Sequence, residues 1–194
     1  MDDKKNAPQT PPYVAYKTFK NFLRSLQVTI PSRIDKSVMP STSGAAQGQI
    51  LQALKYFKLI DPITGAPQPN LARLVKSEGA EHQKVMRELL EANYPFLRDK
   101  HIDLTVATHR LLEDQFKDSA QGDTLRKCVT FFIPAAAEAG IALSPFIKAL
   151  GTRTSSGKPR KARTSKGTNG NQGDNEKEQR QSQHDRYTLL PTDD

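Results

Sequence analysis

The spacing of the apolar residues constrains the fold of this chain more than any other feature. In "YKTFKNFLRSLQ" these residues recur at i, i+3, i+4 and i+7, which places them along one side of a helix. The residues of this stripe are Phe19, Phe22, Leu23 and Leu26. "GAAQGQILQALKYFKLI" and "AEHQKVMRELLEANY" follow the same period, with buried stripes expected over residues 50–57 and 85–90. The pattern predicts a mainly α fold.

Composition divides the chain into a folded part and two polar ends. Residues 1–12 are charged and proline-rich, which predicts a disordered arm. Residues 152–194 are rich in Gly, Ser, Thr, Asn, Gln and Lys and nearly free of aliphatic side chains before "YTLL". Such a segment cannot bury enough apolar surface to offset its ordering entropy, so we expect a disordered C-terminal tail.

Two stretches of the folded part resemble each other. "PSTSGAAQG" precedes a long helical pattern that ends in "LI", and "DSAQG" precedes another that ends in "IAL". One hypothesis is a tandem of two related helical units, residues 13–78 and residues 79–151, with the second packed on the first. The alternative is a single helical domain without an internal repeat.

Helix signals in the first half predict three helices and a turn. Ser32 is expected to cap a short second helix over "PSRIDKSVM", and Ser43 is expected to cap the third. "DPITGAP" predicts a turn in which Pro62 fixes φ and Gly65 supplies a positive φ. The flanking "KLID" and "APQPN" can pair only as a brief or edge hairpin, because prolines remove ladder donors. Three helices followed by such a hairpin describe a winged helix-turn-helix.

Caps and breakers also predict the helices that follow. The expected caps of three later helices are Asn70, Asp103 and Asp123. Pro134 lies inside the pattern of the last of these helices and predicts a kink or a break near residue 133. Gly140 is expected to end that helix. Ser144 followed by Pro145 is expected to open another helix over "FIKAL".

Positive charge is concentrated at two places in the sequence. The net charge is +8, and residues 4–60 hold nine Lys and Arg with one acid, whereas residues 61–151 hold eleven with twelve acids. A one-sided field favours a polyanionic partner such as duplex DNA, and solubility charge on a solvated face is the alternative. The tail carries a polycation that would add non-specific DNA affinity. Its members are Arg153, Lys158, Arg160, Lys161, Arg163 and Lys166.

In a winged helix the third helix lies in the major groove and its polar face reads base edges. Here that helix carries five candidate contacts: Gln47, Gln49, Gln52, Lys55 and Lys58. Gln can contact adenine through both ends of its amide, and Lys can contact guanine or phosphate. Phosphate contacts give affinity without reading sequence. We expect them from cations of the first two helices: Lys17, Lys20, Arg24, Arg33 and Lys36.

A second hypothesis is a protein-interaction or adaptor module. Any surface helix has polar residues outside and leucines inside, and the predicted wing, "PITGAPQ", carries no Lys or Arg. Winged helices also serve as protein-interaction modules. Tyr187, Leu189 and Leu190 give the tail the form of a short docking motif, although such a cluster also arises by chance. Duplex DNA and a partner protein therefore both stay open as partners.

No combination of reactive residues predicts an enzyme. The four histidines lack metal-ligand spacing on one helix, and Cys128 lies on an apolar stripe as a small hydrophobe. "SSGKPRK" and "TSKGTNGNQG" do not match a phosphate-binding loop. We therefore predict a non-enzymatic protein without a metal or cofactor. The single cysteine, the charged N-terminus and the lack of a long apolar run predict a cytoplasmic protein outside membranes.

Three motifs follow one another in a specific order along the folded part of the sequence. They are Pro-Ser-Arg-Ile-Asp-Lys at residues 31–36, Ser-Gly-Ala at residues 43–45, and Phe-Phe at residues 131–132 with an Ala-rich helix and Leu-Ser-Pro at residues 143–145. The pattern resembles the bacterial family catalogued as domain of unknown function 5343, over residues 13–150. The resemblance implies a bacterial, cytoplasmic, mostly helical domain. That family has no established activity, so no functional residues carry over.

Overall fold

A computed structural model describes residues 9–99 and 102–147, which all belong to one compact unit. Its helices are α1 (Tyr16–Ser25), α2 (Gly44–Tyr56), α3 (Pro69–Lys76), α4 (Gly79–Asn93), α5 (His109–Asp114) and α6 (Gly122–Glu138). Short 3-10 helices, Lys36–Val38 and Pro95–Leu97, precede α2 and follow α4. Among the described residues, β pairing is limited to one antiparallel bridge between Ile60 and Pro67. The predicted mainly α fold is confirmed.

Helix α6 is the centre of the core and contacts α1, α4 and α5. The ring of Phe131 lies 5.5 Å from that of Phe19 and 6.0 Å from that of Phe57. The neighbouring Phe132 ring lies 5.1 Å from Tyr94, which follows α4. One helix therefore joins aromatic side chains from both halves of the sequence, and aromatic pairs at these separations attract beyond their apolar burial.

The predicted apolar stripes of the long helices are confirmed. All four predicted residues of α1 are buried, and so are the four predicted in α4. In α2, Leu51 is half-buried, while Ile50, Leu54 and Phe57 are buried. Ser43 caps α2 as predicted, because its hydroxyl accepts a hydrogen bond from the amide of Ala46 at 3.4 Å.

The predicted turn forms a brief hairpin after α2. The amide of Gln68 donates to the carbonyl of Leu59 at 2.9 Å, and the amide of Asp61 donates to the carbonyl of Ala66 at 2.8 Å. Gly65 has a φ of 74°, as the turn prediction requires. Prolines on the returning strand stop the pairing after one bridge, since they cannot donate to the ladder.

The predicted second helix is wrong in its length and in its cap. Only Lys36–Val38 is helical, and Asp35 caps it in place of Ser32. The Asp35 carboxylate accepts hydrogen bonds from the amide and the hydroxyl of Ser37, at 2.9 Å and 2.5 Å. This local bonding favours a turn over a continuing helix, and Pro40 disfavours helical backbone at the residue before it.

The three predicted caps of later helices are also wrong. Helix α3 begins at Pro69, a proline in the first turn, so Asn70 lies inside it. Asp103 instead closes a turn by accepting from the amide of Thr105 at 2.9 Å, and Thr108 caps α5. Asp123 lies in the first turn of α6, where it pairs with basic side chains one turn later. Asn and Asp favour both helix caps and turns, because their side chains bond to nearby backbone groups. Residue type alone therefore did not distinguish a cap from a turn.

Helix α6 continues through Pro134 to Glu138. The break predicted near residue 133 is therefore absent. A proline inside a helix costs about 3 kcal/mol, and the buried residues on both sides of Pro134 hold the helix against that cost. Gly140 ends the helix as predicted, with a φ of 66°. Ser144 is buried, and its hydroxyl accepts from the amide of Ile147 at 3.3 Å, as an N-cap does.

Residues 9–12, which the sequence prediction places in a disordered arm, pack against the core. Pro11 and Pro12 are buried, and the thiol of Cys128 donates to the carbonyl of Pro11 at 3.3 Å. Residues 1–8 and the whole predicted tail, including its six cations and "YTLL", lie outside the described residues. None of the helices within residues 9–99 and 102–147 is long and apolar enough to cross a bilayer.

Candidate nucleic-acid interface

The hairpin turn at residues 61–65 is held by a single carboxylate. Asp61 accepts hydrogen bonds from the amides of Ile63 and Thr64 at 2.9 Å and 2.7 Å, and from the Thr64 hydroxyl at 2.9 Å. The bonds from Thr64, and then that from Ile63, lower the pKa of the Asp61 carboxyl, since they favour its charged form. The carboxylate is therefore turned into the backbone of the turn.

The turn is anchored on the loop before α2. The amide of Ile34 donates to the carbonyl of Gly65 at 2.9 Å. A Cβ at position 65 would lie 2.7 Å from the Ile34 carbonyl oxygen and 3.5 Å from the Arg33 side chain. Only glycine accepts both this close approach and the positive φ. The turn and the Arg33 loop thus form one surface.

One of the predicted cations lies beside this turn, and the charge of a second acts on its carboxylate. Arg33 is exposed beside Gly65, and its Nε lies 3.2 Å from the Asp35 carboxylate. Lys55, on the last turn of α2, is exposed, and its charge makes a smaller contribution to the lowered pKa of Asp61. The turn itself contains no Lys or Arg, and the Arg33 side chain lies beside it.

Two of the three predicted base-reading glutamines make hydrogen bonds inside the protein. The Gln47 side-chain amide donates to the carbonyl of Met39 at 2.8 Å. The Gln52 amide donates to the carbonyl of Thr10, and its side-chain oxygen is buried without a partner among the described residues. Gln49 is half-buried on the same helix. Base reading by Gln47 or Gln52 would require these internal bonds to break.

The remaining five predicted cations lie on α1, on the first 3-10 helix and just beyond α2. Lys20 pairs with Glu138 at 2.7 Å, while Lys17 and Arg24 are exposed along the same helix. Lys36 is exposed on the first 3-10 helix, and Lys58 is exposed just beyond α2. Lys20 is thus paired within the protein, and the other four of these cations are exposed.

A polar cluster that the sequence did not predict joins α1, α4 and α6. Glu138 accepts hydrogen bonds from Lys20 and Tyr16, and its Oε1 lies 3.0 Å from Nε2 of His82. Burial acts to raise the pKa of Glu138, but these three partners outweigh it and the net pKa is lowered. His82 and Glu138 are 56 residues apart on helices whose patterns give no sign of pairing.

An open groove of about 1120 Å³ runs past this cluster. Its floor is apolar and its rim carries Lys17 and Lys20. The apolar residues that line it are Ala15, Ile133, Pro134, Ala137 and Leu143. Cys128 is not part of it and lies in the core, where burial raises the pKa of its thiol to about 12. Such a thiol is protonated at neutral pH and is a poor nucleophile.

Among the described residues, no group of three or more His, Cys, Asp and Glu side chains is placed to hold a metal ion. Comparisons of the chain with protein-family models, curated proteins and solved structures found no significant match.

Proposed function

We propose that this protein binds duplex DNA chiefly through phosphate contacts made by cations of its first half. The observation that supports this most directly is an excess of exposed positive charge. Residues 9–68 hold seven Lys and Arg, all exposed, with two acids, Asp35 and Asp61. Both carboxylates are engaged by neighbouring amide and hydroxyl groups. Ion pairs neutralise Lys20 and Arg33 within the described part of the chain.

This proposal differs from the sequence prediction in how the DNA is read. Internal hydrogen bonds of Gln47 and Gln52 weaken the case for base reading by α2, whereas Gln49 and Lys55 stay available for contacts. Phosphate contacts give affinity that falls with salt and carry no sequence information. A winged-helix-like mode, in which α2 and the hairpin turn both face the duplex, is consistent with the single bridge after α2.

The first test is binding to random-sequence duplex DNA across a salt series. We expect log affinity to fall linearly with log salt, with a slope of roughly −0.9 per phosphate contacted. The double variant Lys36→Ala with Lys55→Ala should reduce the slope by about 2, and Lys84→Ala, an exposed lysine of α4, is the matched control. A parent protein that does not bind DNA at low salt contradicts the proposal.

The tail requires its own variant, made in the chain of 194 residues. Replacing its six cations between residues 153 and 166 by Gln removes the polycation without changing the folded part. If this variant keeps most of the affinity, the first half is the main DNA surface. If it alone abolishes binding, the tail carries the affinity and the folded part does not.

A protein-interaction module is the second candidate, because the open groove between α1, α4 and α6 has an apolar floor. A photo-crosslinking residue at position 137, inside the groove, would trap a partner held there in cells. Position 91, a half-buried position of α4 that does not line the groove, serves as the control. A protein that crosslinks from position 137 alone, while DNA binding is absent, would favour this function.

We also propose membership of the bacterial family named above, and a cytoplasmic, non-enzymatic role. The motif residues that support this resemblance determine the fold: Asp35 closes a turn, Ser43 caps α2, and the buried Ser144 donates to the carbonyl of Ala107. A shared motif of this kind is consistent with a shared fold and does not indicate a shared partner.

A further inference from the structure

The outward face of α6 carries three small side chains along one side of the helix. Thr130, Pro134 and Ala137 lie at i, i+4 and i+7, and Thr130 and Ala137 are exposed. Together with Ile133 and Leu143 they line the groove of about 1120 Å³ described above. Helices α1 and α4 both pack on α6 and supply the other lining residues. The groove is therefore a trough along one helix, bordered by two others.

The two borders of the groove are fixed by contacts that they already make. Lys20 of α1 pairs with Glu138 at 2.7 Å, and His82 of α4 lies 3.0 Å from the same carboxylate. Nδ1 of His82 also lies 3.2 Å from the carbonyl oxygen of Leu74 and 3.2 Å from the hydroxyl of Ser77. Because these side chains are ordered before anything binds, docking in the groove would cost little further conformational entropy.

Positive charge is in excess at one place along the groove. With histidine counted as neutral, the charged lining residues are Lys17, Lys20 and Glu138, so the groove carries a net charge of +1. Glu138 neutralises Lys20, whereas Lys17 is exposed and forms no ion pair within the part of the chain that the structure describes. The adjoining smaller cavity adds Arg24 and Glu78, whose charges balance. The excess therefore lies at Lys17 and favours an anionic group beside it.

The shape of the groove distinguishes between kinds of occupant. Sites for small molecules have volumes of roughly 300–1000 Å³ and enclose most of the ligand, whereas this groove is larger and open. An extended peptide would place its backbone polar groups against an apolar floor and needs a sheet edge to bond them, but helices line this groove. A helix satisfies its own backbone and needs only an apolar face, so a helix fits best.

We propose that the groove binds an amphipathic helix of a partner protein. Its apolar face would lie on Pro134 and Ala137, and an acidic residue at the edge of that face would pair with Lys17. This inference rests on the second candidate function, protein interaction, and adds the chemistry of the partner. It uses neither of the lysines that the DNA-binding test replaces, so the two proposals can be tested separately.

The test uses two designed peptides and the chain of 194 residues. Each peptide is a helix of about 16 residues, longer than the two turns of the floor, with leucine and alanine on one face. One carries glutamate along the edges of that face, and the other carries lysine at the same positions. Fluorescence anisotropy measures their binding to the parent, Lys17→Glu, Ala137→Gln and Lys84→Glu. Lys84 is exposed on α4 outside the groove, so its variant controls for net charge.

The parent should bind the glutamate peptide about fivefold more tightly than the lysine peptide, which is the scale of one exposed charge pair changed from attraction to repulsion. Lys17→Glu should reverse this preference, because the net charge of the groove becomes negative. Ala137→Gln should weaken the binding of both peptides, because the longer side chain fills the floor. Lys84→Glu should behave as the parent, and thermal unfolding shows whether each variant keeps its fold.

Two results would overturn the acidic helix while leaving a protein-interaction function, which crosslinking from position 137 tests independently. They are equal binding of both peptides by the parent, and an equal effect of Lys17→Glu and Lys84→Glu. Binding that Ala137→Gln does not weaken would lie outside the groove and would also overturn the inference. So would a dimer of the parent, seen by sedimentation velocity, that Ala137→Gln dissociates, because the occupant is then a second copy. If neither peptide binds and nothing crosslinks from position 137, both the inference and the protein-interaction function fail.

Discussion

At the scale of single residues, Gly65 and Gly48 make a contrasting pair. Gly65 has a φ of 74° and would place a Cβ 2.7 Å from a backbone oxygen, whereas Gly48 lies inside α2 with open space where its Cβ would be. Gly65→Ala should lower the free energy of unfolding by at least about 2 kcal/mol, through left-handed strain and the clash.

Gly48→Ala should instead raise the free energy of unfolding by about 0.5–1 kcal/mol, because alanine loses less backbone entropy in a helix. Urea denaturation of both variants measures the two effects. Equal effects of the same sign would show that the turn does not hold Gly65 as described.

Lys58 is the one non-glycine residue with a positive φ among those described, at 52°. Its amide donates to the carbonyl of Lys55 and that of Leu59 donates to the carbonyl of Leu54, which is the pattern of a Schellman cap with glycine replaced by lysine. Lys58→Gly should stabilise the protein by about 1 kcal/mol by relieving the left-handed strain. Lys58→Ala keeps that strain, so stabilisation by alanine as large as by glycine would contradict the explanation.

At the scale of elements, Glu138 ties the N-terminal parts of α1 and α4 to the end of α6. Its lowered pKa means that the folded state favours the carboxylate more than the unfolded state does. The stability that Glu138 contributes is therefore present above its unfolded pKa, near 4.5, and is lost as the pH falls through the lower folded value.

Glu138→Gln should lower the free energy of unfolding at pH 7 by about 1–3 kcal/mol, because hydrogen bonds to a charged group are lost. Because other carboxylates also titrate, the parent and the variant are compared between pH 7 and pH 3. Their difference should shrink as the pH falls below about 4.5, where Glu138 of the unfolded chain is protonated first, and should be lost once the folded carboxylate is protonated at a lower pH. Glu91→Gln, which removes an exposed pair with Arg87, is the control. A difference that stays constant with pH would show that Glu138 acts by packing alone.

The sequence predicted those elements whose signal is local. The apolar stripe of α1, the Ser43 cap and the positive φ of Gly65 all depend on residues within a few positions of one another, and all three were correct. Asp103 and Asp123 were wrongly assigned as helix caps. An aspartate suits a cap and a turn equally well, and tertiary packing decides which of the two forms. The pairing of His82 with Glu138 depends on how helices cross, which periodicity does not encode.

The candidate interface also combines features that the local sequence predicts with features that it does not. The exposed cations could be read from the charge pattern, but Gln52 bonds to the carbonyl of Thr10, 42 residues away, and no local pattern predicts this bond. The turn itself carries no Lys or Arg, as its sequence shows, but the Arg33 side chain lies beside it. The bond from the Ile34 amide to the Gly65 carbonyl holds the Arg33 loop against the turn, and no local pattern predicts it.

At the scale of the whole molecule, the tandem hypothesis and the single-domain alternative predict different unfolding behaviour. The described residues fall in one compact unit, and α6 supplies both Phe131, which contacts rings of the first half, and Phe132, which contacts rings of the second. If the aromatic core is shared in this way, neither half can lose its packing without exposing α6. The whole unit should then unfold in one cooperative transition.

We therefore expect Phe131→Ala and Phe132→Ala each to destabilise the same single transition by about 3–5 kcal/mol, since both side chains are buried and leave cavities. Far-ultraviolet circular dichroism follows the helices as a whole, and tyrosine fluorescence follows the rings packed around α6. Coincident curves with both probes, shifted alike by the two variants, support one shared core. Two separate transitions, with Phe131→Ala moving one and Phe132→Ala the other, would instead favour two units that fold independently along this chain.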